Sequence, residues 1–71
     1  MERHRVTGSS MVVGLGYEPT DQLLEIEFRN GKTYQYNLVP PSVYTDFLAA
    51  SSPGDFFLRR VRSRYPFRQI R

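Results

Sequence analysis

The segment Leu24-Glu25-Ile26-Glu27-Phe28-Arg29-Asn30-Gly31-Lys32-Thr33-Tyr34-Gln35-Tyr36 constrains the fold more tightly than any other part of the chain. On either side of Asn30-Gly31, apolar and polar residues alternate strictly, which is the pattern of two half-buried strands joined by a tight turn. Parity then selects the turn. Residues directly opposite in an antiparallel pair share a face, so a slip of one residue sends every side chain to the other side. A two-residue Asn-Gly loop sets Phe28 opposite Thr33 and leaves the two apolar sets on opposite faces. A three-residue loop, with a type I turn over Arg29 and Asn30 and Gly31 as a left-handed bulge, pairs Ile26 with Tyr34 and Leu24 with Tyr36. That loop puts all the apolar residues on one side.

An earlier run supplies a third strand, with Met11, Val13, Leu15 and Tyr17 alternating against Ser10, Gly14, Gly16 and Glu18. Parity requires an even connection to Leu24, and a four-residue turn opened by Pro19 satisfies it. After Leu38 the period lengthens. Pro40-Pro41 can start a helix whose apolar side is Val43, Tyr44, Phe47 and Leu48. Ser52-Pro53-Gly54-Asp55 starts a second helix, with Ser52 as cap and Phe57, Leu58 and Val61 facing inward. Arg59 and Arg62 project the other way. Pro66 disfavours helix at Tyr65, so Tyr65 to Arg71 reads as extended or irregular. The expected fold is α+β, a three-stranded antiparallel β-meander followed by two short helices packed on one face, covering Tyr34 and Tyr36. Residues 1–9 read as a flexible lead-in and 10–71 as a single domain.

Composition narrows the chemistry. The 71 residues include no cysteine, one histidine and one lysine, so disulfides and thiolate metal sites are excluded and a nucleophile–base pair has few donors. His4 alone cannot hold zinc. Glu25 and Glu27 share a flat sheet face with no cleft to separate their pKa values, so solvated charges account for them better than acid–base catalysis does. The Gly14-Leu15-Gly16 echo of a nucleotide-binding loop lacks the helix such a loop needs. The reading is a non-enzymatic protein with no metal and no cofactor. With no apolar run long enough for a signal peptide or membrane span, it is expected in the cytoplasm, away from membranes.

Charge singles out the carboxy-terminal end. Residues 1–55 carry four basic groups against seven acids, a balance of −3, whereas residues 56–71 carry six arginines and no acid. Arg59, Arg62, Arg64 and Arg68, with Tyr65 and Phe67 interleaved, combine cations for phosphates with ring faces for bases. The competing reading pairs these arginines with the acidic outer sheet of the same or a neighbouring molecule, while Tyr65 and Phe67 close the core.

Five short pieces in order, GYEP, NGKTYQY, VPPSVY, ASSPGDFF and VRSRYP, resemble the KTSC domain, a module named for the carboxy terminus of some lysyl-tRNA synthetases and also found as stand-alone proteins. The resemblance runs from about Ser10 to Ile70. Its Tyr-x-Tyr falls on Tyr34 and Tyr36, its Ser-x-Gly-x-x-Phe on Ser52, Gly54 and Phe57, and its hydrophobic-Arg-x-x-Tyr-Pro on Val61, Arg62, Tyr65 and Pro66. It brings no catalytic residue. Attachment to a tRNA-charging enzyme implies RNA binding, so the expected function is a small binding module for RNA or another polyanion. The alternative is a protein interaction or homo-oligomerising module that meets an acidic protein surface or a second copy of itself.

Overall fold

In the computed structural model, which describes residues 1–71, one antiparallel sheet carries five strands in the order β1 (Glu2–Arg5), β2 (Val12–Glu18), β3 (Leu23–Phe28), β4 (Thr33–Tyr36) and β5 (Phe67–Gln69). Helix α1 (Pro41–Ala49) and helix α2 (Pro53–Phe56) follow β4, and α2 runs directly into a π-helical turn, Phe57–Val61. The architecture is α+β with an antiparallel sheet and two helices, as the periodicity implies. The three-strand count is corrected to five. The segment expected to be a lead-in supplies an edge strand, and the tail beyond Pro66 closes the other edge.

The central hairpin follows the parity rule. Ile26 pairs with Tyr34 and Leu24 with Tyr36. The Gly31 amide donates to the Phe28 carbonyl at 3.0 Å, and Gly31 sits at φ +92°, where a side chain would be strained. Glu18 pairs with Leu23, so the first connection has the even length that parity demands.

Strand β2 departs from simple alternation. Val12 lies opposite Phe28 and Gly14 opposite Glu27, so Val13 is an extra residue in a β-bulge. The bulge reverses parity. Val12, not Val13, is therefore the buried residue at the start of β2.

The core joins the inner sheet face (Val12, Leu15, Tyr17, Leu24, Ile26 and Tyr36) to Val39, Val43, Tyr44, Phe47, Phe57 and Val61. Val39 is locked in place by two contacts: its amide donates to the Gln22 carbonyl at 2.9 Å, and its carbonyl accepts from the Tyr17 hydroxyl. Tyr17 stacks on Tyr44 at 4.8 Å between ring centres, and Phe47 packs on Phe56 at the same spacing, which ties α1 to the sheet and to α2. Two residues expected on the buried helix faces, Leu48 and Leu58, are exposed instead. No helix is long and apolar enough to cross a membrane.

Candidate functional site

The second helix begins as the sequence implies. Ser52 Oγ accepts from the Asp55 amide, and Pro53 occupies the first turn. Beyond Phe56 the hydrogen bonding widens: the Arg62 amide donates to the Phe57 carbonyl, five residues back, at 2.9 Å. In an α-helix, a residue five positions on lies well round the axis from its partner. Here the wider turn brings Arg62 round above Phe57 while Phe57 and Val61 stay buried. It also carries Leu58 away from Val61, which is why Leu58 meets solvent.

This turn forms one wall of an open groove of about 490 Å³. The floor is a connected set of rings. Phe28 meets Tyr34 and Phe57 edge-on at 5.6 and 5.0 Å, and Phe67 lies 5.7 Å from Tyr34 and 5.4 Å from Tyr36. Strand β5 sets Phe67 in register with Tyr36, on the inner face of the sheet at its open edge. Phe67 is 55% exposed and Tyr34 half-buried, whereas Tyr36 and Phe57 are buried. Lys32, Asn30 and Arg62 form the polar rim, and no acidic side chain lines the groove. Burial pushes the Tyr36 phenol above its ordinary pKa, Tyr34 adds to that rise, and the charge of Arg62 partly offsets it.

The residues singled out from the sequence are distributed over three surfaces. Arg62 and Phe67 meet at the groove. Arg59 pairs with Asp55 at 3.4 Å on the exposed side of the helix, and Arg64 lies exposed in the turn that follows. Tyr65 is partly buried against the core. Arg68 lies on the opposite face of the sheet, beside Gln35. Arg60, not singled out from the sequence, pairs with Asp46 and rests 5.1 Å over the Phe56 ring. Of the two tyrosines expected under the helices, Tyr36 is covered and Tyr34 is accessible. The motif residues Ser52 and Gly54 belong to the α2 start, where a Cβ on Gly54 would touch Met11 at 3.4 Å. The Pro66 carbonyl accepts from the Asn37 amide at 2.8 Å, which anchors β5 to the end of β4.

The outer face is less acidic than its strand residues suggest. A row across the sheet runs Arg3, Gly16, Glu25, Gln35, Arg68. Glu25 is buried there, accepting from Arg3 at 2.5 Å and from Gln35 at 3.1 Å. Burial alone would raise its pKa, but the bonds from Gln35 and Arg3 and the charges of Arg3 and Arg71 hold it below the ordinary value.

Comparison with known proteins places this geometry in a family. The KTSC domain model matches residues 8–65. The chain belongs to the KTSC domain family. A crystal structure of a KTSC domain protein from Yersinia pestis superposes with a TM-score of 0.93 at 37% sequence identity, covering 99% of this chain and 97% of that one. A protein of Tsukamurella paurometabola is 44% identical over 57 residues, which is 80% of this KTSC chain and 85% of the relative. A lysine–tRNA ligase of Nostoc punctiforme is 38% identical over 61 residues, 86% of this chain but only 11% of the ligase. In that enzyme, the KTSC segment is a small part of a much longer chain.

Proposed function

We propose that this KTSC domain is a non-catalytic module that binds single-stranded RNA in the aromatic groove, stacking a base on Phe67 and Tyr34 and meeting phosphates with Lys32 and Arg62. The observation that carries the reading is the exposed Phe67 ring lying over a floor of rings, between two cations and with no acid in the lining. A contiguous apolar patch rimmed by polar residues marks a binding surface, and ring stacking on a base contributes about 1–3 kcal/mol. Of the other arginines in the carboxy-terminal segment, Arg59 and Arg60 are paired with Asp55 and Asp46 and Arg68 lies on the opposite face of the sheet, whereas Arg64 has no acidic partner within ion-pair distance. Occurrence of the same segment within lysine–tRNA ligases agrees with an RNA ligand. Pairing of Glu25 with Arg3 within one molecule weakens the case for self-association through an acidic sheet face.

Fluorescence anisotropy with a labelled single-stranded RNA tests the reading. Affinity should fall steeply with salt, and each of Lys32→Ala and Arg62→Ala should reduce the slope of log K against log salt by about 0.7. Undetectable or salt-insensitive binding in dilute buffer, or equal binding by an acidic peptide, would overturn it.

A further inference from the structure

The polar groups round the groove are almost all hydrogen-bond donors. Lys32 and Arg62 can only donate. Asn30 could do either, but its Oδ1 already accepts from the Lys32 amide at 3.0 Å. That bond fixes the amide orientation and leaves the Nδ2 group, with its two hydrogens, to face whatever enters. The Tyr34 hydroxyl spends its hydrogen on Gln69 Oε1 at 3.3 Å. Among the lining side chains, the acceptors are the two tyrosine hydroxyl oxygens and Asn30 Oδ1, which the Lys32 amide already engages, and no carboxylate is present.

A nucleobase stacked on Phe67 presents its edge to this rim. Uracil and guanine or hypoxanthine carry a carbonyl oxygen at the exocyclic position where cytosine and adenine carry an amino group. The carbonyl accepts from Asn30 Nδ2, whereas the amino group meets N–H against N–H and stays unpaired. We infer that the groove selects keto bases over amino bases, with Asn30 as the specificity-determining residue. This inference rests on the nucleic-acid reading of the groove and names which bases it takes.

The test compares two pairs of single-stranded homopolymers of equal length, oligo(U) with oligo(C) and oligo(I) with oligo(A), because each pair matches ring size and backbone charge. One hydrogen bond gained or lost predicts a preference of about three- to tenfold for the keto member of each pair. The second arm uses Asn30→Asp. An aspartate keeps one oxygen for the Lys32 amide and turns an acceptor toward the groove, so the preference should reverse within each pair. The ratio within the variant is the readout, which cancels the general weakening that an added negative charge causes. Equal, salt-dependent binding of all four polymers would overturn the base selectivity and leave the RNA reading standing. Binding of none would sink both. A keto preference that persists unchanged in Asn30→Asp would remove Asn30 from the role, and the far-ultraviolet circular dichroism of the variant checks that the hairpin still forms.

Discussion

Arg3 reaches across Gly16 to place its guanidinium 2.5 Å from the Glu25 carboxylate, so an edge strand is fastened to a central strand over a residue with no side chain. A Cβ on Gly16 would come within 2.7 Å of the Met1 side chain, so this glycine leaves room for the amino terminus beside the pair. The pair ties the amino-terminal strand into the sheet and removes a negative charge from the outer face.

Stability should therefore depend on Glu25 in a pH-specific way. Its folded pKa lies below the ordinary 4.5, so its stabilisation is complete above that value and is lost as pH falls through the lower folded value. Glu25→Gln should cost about 1 kcal/mol at neutral pH, because one partner, Arg3, is largely exposed. Denaturant unfolding at a series of pH values should show the variant and the parent converging in acid. A gap that stays constant down to acid pH would show that the carboxylate charge contributes nothing.

Two stacked tyrosines should respond oppositely to loss of their hydroxyls. Tyr17 donates to the Val39 carbonyl at 2.5 Å, so Tyr17→Phe leaves a buried acceptor empty at a cost of about 1–3 kcal/mol. The Tyr44 hydroxyl is buried without a partner, so Tyr44→Phe should be neutral or stabilising while the ring stack survives. Equal losses in the two variants, measured by urea unfolding, would contradict this assignment of the hydroxyls.

Burial raises the phenol pKa of Tyr17, Tyr36 and Tyr44 above the ordinary 10.0. The folded state thus favours their protonated form. Their contribution is fully present below pH 10.0 and is lost as pH rises through the raised folded values. In an alkaline titration, phenolate absorbance from these rings should grow together with loss of the circular dichroism of the fold. Full ionisation with the fold intact would refute their burial.

The features legible in the sequence are those with a strong period. Ile26 against Tyr34 and the Gly31 bulge follow from alternation plus parity, and the Ser52 cap follows from local chemistry. Strand β1, Glu-Arg-His-Arg, has no apolar alternation to reveal it, and β5 is three residues long behind a proline. The bulge at Val13 is hidden because Val12 and Val13 are both apolar, so either could face inward. No residue pattern marks the π turn. The arginine cluster was legible as charge, but its partition between two faces of the sheet depends on β5. The groove was missed for the same reason: it needs the register of Phe67 with Tyr36 and the rotation of Arg62 above Phe57.

Phe57 and Phe67 provide the sharpest separation of folding from binding, because both rings line the groove and only one is exposed. Phe57 is 7% exposed and sits in the core, so Phe57→Ala should cost about 3–5 kcal/mol, enough to unfold much of a domain this small. Phe67 is 55% exposed, and Phe67→Ala should leave thermal unfolding nearly unchanged while weakening RNA about tenfold or more, the loss of one stacking platform. The chain contains no tryptophan, so Phe67→Trp installs at the site a single indole that can be excited apart from the five tyrosines. The indole keeps the stacking surface, and its emission should be quenched by saturating single-stranded RNA and recover as salt is raised. Unchanged emission under conditions where anisotropy reports binding would place the RNA elsewhere on the surface, and the exposed arginines of the helix would then be the contact to examine.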